Sequence, residues 1–253
     1  MKRFAILLIV VTSVAASWIV GTAQINLSDE ELLTAFDKAR LFEETITGIT
    51  VSIVAETPDE TKEATTRLLF KTIGGEDFAR IEFLVPEELA GQIYLSTPEA
   101  TYFIGPDLDF PIKTSASTQL FGDAAVAQTS GIEFDGNYTI AERRDTTLED
   151  GTPAIEVDLD AVDFTVAFQA VTLLAEAETL RPVAMTLYAL SGLPFYEVFF
   201  ESYATNGEDT YVEMQRIENQ LLIGNQTHLE IVEITSEEFP DELFDPDRMG
   251  ISG

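Results

Sequence analysis

The sequence predicts a mainly β protein: one large, curved antiparallel sheet forming a half-open barrel of about eleven strands, with a few short helices as lid or plug. Three observations lead there. The stretch from Arg181 to Thr235 reads as four long strands, rich in β-branched and aromatic side chains, with turn chemistry at Ser191-Gly192, Asn206-Gly207 and Gly224-Asn225. Period-two patterning continues upstream, without the alternation of strands and helices that marks βαβ units. One amphipathic helix precedes the strands, and a fully closed sheet would leave its apolar stripe nowhere to bury.

The chain opens with MKRFAILLIVVTSVAASWIVGTAQ, where Lys2 and Arg3 precede an uncharged apolar run from Phe4 to Val20. Gly21 and Ala23 supply the small residues a signal peptidase accepts, so residues 1–23 read as an export signal cleaved after Ala23. The run is also near the length that spans a bilayer, and retention as an anchor is the alternative reading. Residues 24–253 are expected to form a single domain, with no linker rich in Pro, Gly or Ser and no repeat at fixed period. The chain has no cysteine, so there is no lipobox to acylate and stability comes from the core.

Ser28-Asp29-Glu30-Glu31 has the form of a capping box and starts the helix. Leu32, Leu33, Phe36 and Ala39 share one helical face, with Asp37, Lys38 and Arg40 placed off it, and the helix is expected to end near Glu44. From Thr45 the period becomes two. Ile49, Val51 and Ile53 alternate with Thr50, Ser52 and Val54; Thr57-Pro58-Asp59-Glu60 turns into a strand from Lys62 to Ile73, and Gly74-Gly75 into another from Phe78 to Val85. Shorter strands are expected at Gln92 to Ser96 and Thr101 to Gly105. A loop from Pro106 to Ser117 and a second helix from Asp123 to about Thr129, stopped at Gly131, come next. Strands at Tyr138 to Arg144, Ala154 to Ala161 and Phe168 to Ala175 lead into the meander. Within it the inner face of Phe195 to Thr205 is ambiguous, because Phe195, Phe199 and Tyr203 share a side with Glu197 and Glu201. Near the C-terminus, ELFDP reads as one helical turn docking the tail.

Charge narrows the function classes. Against 45 acidic residues stand 14 basic ones, a net charge of −31, and nucleic acid or an anionic membrane surface would repel such a chain. The acids are scattered through strands and turns, matching a solvated surface, and no segment has the spacing of a calcium loop. Catalytic signals are poor. His228 is the only histidine, sits mid-strand and has no acid at fixed spacing; Ser191 lacks the G-x-S-x-G elbow; no glycine-rich phosphate loop precedes a helix. The chain is therefore expected to be neither an enzyme nor a cofactor or metal binder. A hydrolytic reading survives only if the fold brings His228 beside a serine and an acid.

Six segments carry a resemblance: FLVPEELAGQIYL (Phe83 to Leu95), LFGD (Leu120 to Asp123), ETLRP (Glu178 to Pro182), YALSGLP (Tyr188 to Pro194), RIENQLLIGNQTHLEI (Arg216 to Ile231) and ELFDP (Glu242 to Pro246). In this order they resemble the outer-membrane lipoprotein-sorting, or LolA-like, family, in an uncharacterised branch of it. The resemblance implies a half-closed barrel with a helical lid and an apolar cavity that shields lipoprotein acyl chains in the periplasm. It implies lipoprotein or lipid acyl chains as cargo, an inner-membrane transporter or envelope receptor as protein partner, and a monomer. It also implies an arginine that holds the lid shut, a role no motif assigns to Arg67, Arg80 or another position.

A carrier of this kind needs a continuous apolar face, since an acyl chain in water is penalised by roughly 0.8 kcal/mol per CH₂. Eight strand pairs would supply it: Val51 and Ile53, Leu68 and Phe70, Ile81 and Phe83, Val157 and Leu159, Met185 and Leu187, Val198 and Phe200, Val212 and Met214, Leu229 and Ile231. The same side chains could instead fill a solid core. Two functions follow: a carrier or chaperone with a cavity, or a non-catalytic envelope sensor or scaffold that binds protein through an exposed apolar patch.

Overall fold

The computed structural model describes residues 26–41, 46–125, 128–129, 131–207 and 209–250. The expected signal segment, 1–23, lies outside the described residues; the first helix, expected to run to near Glu44, ends earlier, at Lys38, with Ala39 as its C-cap.

Helix α1 (Asp29–Lys38) begins at the capping box. Ser28 Oγ accepts the Glu31 N–H at 3.3 Å, and a Glu31 carboxylate oxygen accepts the Ser28 N–H at 2.8 Å, so two otherwise orphaned helix-end donors are met. Leu32, Leu33 and Phe36 are buried.

Fifteen strands follow among the described residues. They are β1 (Gly48–Glu56), β2 (Thr61–Ile73), β3 (Glu76–Val85), β4 (Ile93–Ser96), β5 (Thr101–Ile104), β6 (Ile112–Thr114), β7 (Gln119–Phe121) and β8 (Ala124–Ala125). The second half supplies β9 (Tyr138–Thr147), β10 (Pro153–Ala161), β11 (Ala170–Glu176), β12 (Pro182–Tyr188), β13 (Pro194–Asn206), β14 (Asp209–Asn219) and β15 (Gln226–Thr235). Thirteen form one antiparallel sheet in the order β6-β5-β4-β3-β2-β1-β15-β14-β13-β12-β11-β10-β9. The first and last strands thus pair at its centre, Gly48 opposite Thr235 and Glu56 opposite Gln226. β6 and β9 are its edges, so the sheet is curved but open.

The count exceeds the expected eleven for a physical reason. β6, inside the expected loop from Pro106 to Ser117, and the small β7–β8 hairpin are too short to show alternation and exist through their pairing. The helix expected from Asp123 is likewise displaced. Asp123 donates its N–H to Thr227 Oγ1 at 2.8 Å, Ala124 and Ala125 pair with β7, and helical backbone remains only at Gln128 and Thr129 among the described residues.

A bulge resolves the ambiguous strand. Tyr196, Val198 and Phe200 point inward; the register then steps from Phe200 opposite Gln215 to Ser202 opposite Met214 and Tyr203 opposite Val212. The extra residue, Glu201, shifts the parity, so Tyr203 joins the inner face while Phe199 stays outside beneath the Arg216 guanidinium, 4.3 Å from its ring centre.

The two ends of the barrel differ. At one end the β7–β8 hairpin plugs the interior: Gly122 (φ +55) sits where an added Cβ would lie 2.4 Å from Ala55 and 2.5 Å from Thr227, and Asn219 Nδ2 donates to Asp123 at 2.6 Å. The connections at this end expose Phe110, Phe164, Leu190, Leu193 and the run Leu221, Leu222, Ile223. At the other end, where β2 turns into β3 through Gly74 and Gly75, the sheet opens beside the C-terminal end of α1. The tail packs outside, where two 3-10 turns, Asp241–Phe244 and Pro246–Arg248, stand in place of the single turn expected at ELFDP, with Phe244 buried against Leu69, Leu95 and Ile104.

Candidate functional site

The inner face of the sheet forms one apolar cluster, covered by Leu32, Leu33 and Phe36 of α1 and by Leu120, Ala124, Ile132 and Phe134 of the segment that runs from β7 to the start of β9. α1 and residues 132–138 are fastened to each other by polar bonds. One Asp37 carboxylate oxygen accepts the N–H groups of Phe134 and Asp135, each at 2.8 Å; the other pairs with Arg40 Nη2 at 2.8 Å. Thr34 Oγ1 donates to Asp135 at 2.8 Å. The Arg40 guanidinium also lies over the Phe134 ring, 4.4 Å from its centre, and the Arg40 carbonyl accepts the Val212 N–H of β14 at 3.2 Å. At the opposite end of the helix, Arg143 of β9 donates to the Leu27 carbonyl at 3.0 Å.

Beneath this cover a cavity of about 70 Å³ remains, lined by apolar Ile49, Phe70, Ile132, Met185, Phe200, Val212 and Ile231 and by polar Arg40, Gln128, Thr129 and Gln215. Arg40 is 5% exposed and Gln128 3%, and the donors Arg40 Nε and Gln128 Nε2 have no hydrogen-bond partner. Beside the cavity, sharing Leu41, Phe70 and Gly131 with it, a groove of about 700 Å³ opens at the barrel mouth between β2, β3 and Phe239. Glu133 stands at this mouth. Although its side chain reaches solvent, the surrounding protein strips water from the carboxylate, and Asp37, Asp77 and Asp135 add repulsion that outweighs the attraction of Arg40; its pKa lies above the ordinary carboxylate value.

A family model described as an uncharacterised protein matches residues 75–250. The chain belongs to that family. No curated protein matches it in sequence. Its fold is that of the LolA superfamily. A LolA superfamily protein from Nitrosomonas europaea superposes with a TM-score of 0.78 at 21% identity, covering 87% of this chain and 98% of that one. An outer membrane lipoprotein-sorting protein domain from Vibrio parahaemolyticus gives 0.74 at 14% identity, with 88% and 98% covered. A DUF1329 family protein from Desulfovibrio piger gives 0.74 at 12% identity, with 87% and 97% covered.

In this LolA-like frame, all the residues predicted for the inner face except Met214 belong to the inner cluster. Phe70, Met185, Phe200, Val212 and Ile231 line the open space; Val51, Ile53, Leu68, Ile81, Phe83, Val157, Leu159, Leu187, Val198 and Leu229 are packed beneath the cover. Met214 pairs with Ser202 and Glu230 and lies outside the cluster, because a second register step, which leaves Glu213 of β14 without a partner in β13, breaks the period-two spacing between Val212 and Gln215.

Neither arginine singled out by number reaches the interior. Arg67 pairs with Glu82 at 2.5 Å on the outer face, and Arg80 bridges Glu82 and the Leu243 carbonyl under the C-terminal turns. Arg40 does reach it, contrary to its placement off the helical stripe. It follows Phe36 by four residues and Leu33 by seven, and this spacing puts it on the buried face. Gln128 had no comparable local signal. His228 lies on the outer face opposite Arg216, with Nδ1 3.9 Å from Glu201. No group of three or more potential metal ligands occurs among the described residues, and no helix among them is long and apolar enough to cross a membrane.

Proposed function

We propose that this protein is a periplasmic carrier that shields the acyl chains of a lipoprotein or another lipid on its inner sheet face, with α1 and residues 132–138 as the lid. The observation that carries this reading is the cavity of about 70 Å³ that lies beside the groove of about 700 Å³, sharing Leu41, Phe70 and Gly131 with it, under a cover fastened by polar bonds at Asp37 and Arg40. Arg40 is the latch: it ties α1 to Phe134 and, through its carbonyl, to β14.

Cargo and helix compete for one face. Lifting Leu32, Leu33 and Phe36 off the sheet costs about 6 kcal/mol at ~2 kcal/mol per side chain, whereas covering fourteen methylenes of an acyl chain returns about 11 kcal/mol at ~0.8 each. The exchange is favourable with cargo and unfavourable without it, so the empty protein closes. The net charge of −31 keeps the carrier off anionic lipid surfaces between loading and release. Protein purified without detergent should yield extractable acyl lipid at up to one chain-bearing molecule per protein. Extracts with no lipid, from protein that also takes up none when offered it, would remove the carrier reading.

A second reading, an envelope sensor or scaffold, is favoured by the apolar connections at the plugged end, Leu190, Leu193 and Leu221 to Ile223. It requires those loops, rather than the interior, to be where binding occurs.

A further inference from the structure

The small cavity is amphiphilic. Its walls at Ile49, Met185, Phe200 and Ile231 are apolar, yet Arg40 and Gln128 both line it and each keeps one donor nitrogen without a partner. Buried donors are seldom left unmet, so such a pair is a feature that needs an acceptor. One other polar atom of each side chain is already committed. Arg40 Nη2 donates to Asp37 at 2.8 Å, and Gln128 Oε1 accepts the Ala125 N–H at 2.6 Å, which fixes the amide so that Nε2 is the end left over.

Charge selects the acceptor. The Arg40 cation is already balanced by Asp37, Gln128 is neutral, and the mouth carries Asp77, Glu133 and Glu238 beside Lys71, which is itself paired with Asp241. An ionised carboxylate entering here would meet carboxylates on its way and no uncompensated cation at its end. A neutral carbonyl oxygen has two lone pairs and can accept from both donors. We propose that Arg40 Nε and Gln128 Nε2 bind the carbonyl oxygen of an acyl ester or amide, so that the site selects acylated lipid over free fatty acid. This rests on the carrier reading and names its ligand class.

The test compares ligands of one chain length by titration calorimetry on the full chain without detergent: 1-monolauroylglycerol (ester), N-lauroylglycinamide (amide), 1-O-dodecylglycerol (ether) and laurate. The ester, the amide or both should bind about tenfold tighter than the ether and laurate, the order of effect expected for a buried hydrogen-bonded acceptor. The tighter of the two separates a glycerolipid source from an N-acylated one. Gln128→Leu should bring the preferred ligand to within about twofold of the ether. Should that variant unfold, infrared spectroscopy of the preferred ligand labelled with ¹³C at the carbonyl, bound to the wild-type protein, reads the same contact. A stretch shifted down from its value in hydrocarbon supports the proposal, and an unshifted one overturns it. If all four ligands bind alike, the carrier reading stands and this proposal falls; if none binds, both fall.

Discussion

Asp37 and Arg40 form a buried ion pair one helical turn apart, 2.8 Å from carboxylate to guanidinium, at the point where α1 meets residues 132–138. Because the same carboxylate also accepts two backbone N–H groups from Phe134 and Asp135, removing it leaves a buried cation and two orphaned donors. Asp37→Ala should therefore lower unfolding stability by about 3 kcal/mol, as breaking one side of a buried pair does, measured by urea denaturation. It should also raise the binding of a fluorescent apolar dye at the groove, since the lid loses its fastening. A variant as stable as the wild type with unchanged dye binding would show that the pair fastens nothing.

Two carboxylates should give opposite pH signatures. Burial opposes ionisation of Glu82, but hydrogen bonds and charge from Arg67 and Arg80 outweigh it, and its pKa lies below the ordinary value. The stability it adds is present at neutral pH and fades as the pH falls through that lowered value. Glu133 has a raised pKa, so its contribution is full below the ordinary carboxylate range and is lost as the pH rises through the raised value. At pH 7 Glu82→Gln should destabilise and Glu133→Gln should stabilise, with both differences vanishing in acid. Melting curves across pH check this, and same-signed effects would contradict it.

Gly122 tests the plug. A side chain there meets Ala55 at 2.4 Å and would need a left-handed backbone, φ +55, so Gly122→Ala should cost about 3 kcal/mol from crowding and strain together. Urea denaturation reads it, and a cost below about 0.5 kcal/mol, the range of a neutral surface change, would mean that the hairpin shifts freely.

The bulge gives a paired prediction. Val212 lines the cavity and Met214 lies outside the inner cluster, so Val212→Ser should weaken acyl-chain binding several-fold while Met214→Ser leaves it unchanged. Calorimetric titration of the two variants decides the facing. Equal weakening by the two variants would restore the uninterrupted alternation read from the sequence.

Local signals were the readable ones. The capping box at Ser28, the stripe at Leu32, Leu33 and Phe36, and the Gly-bearing turns of the meander each depend on a few neighbouring residues, and the fold follows them. Where position depends on long-range pairing, the pattern misleads. The parity step at Glu201 comes from register against β14, β6 exists only as a partner of β5, and Ala124 and Ala125 are drawn into a strand by β7 beside a Thr227 that captures the Asp123 N–H. For the candidate site, the apolar face was legible from alternation, and the polar half was not. Gln128 reaches the cavity from a segment with no periodicity, and Arg40 was legible only by carrying the helical spacing past a charged residue.

The central claim is that an acyl chain lies on the inner sheet face beneath α1. Photocrosslinking with a lauroyl lipid carrying a diazirine at the chain terminus, followed by peptide mass spectrometry, tests it most directly. The account predicts adducts on the peptides containing Met185, Phe200, Val212 or Ile231, competed away by unlabelled lipid. Adducts confined to the loops at Leu190 and Leu221 to Ile223, with an unlabelled interior, would contradict it.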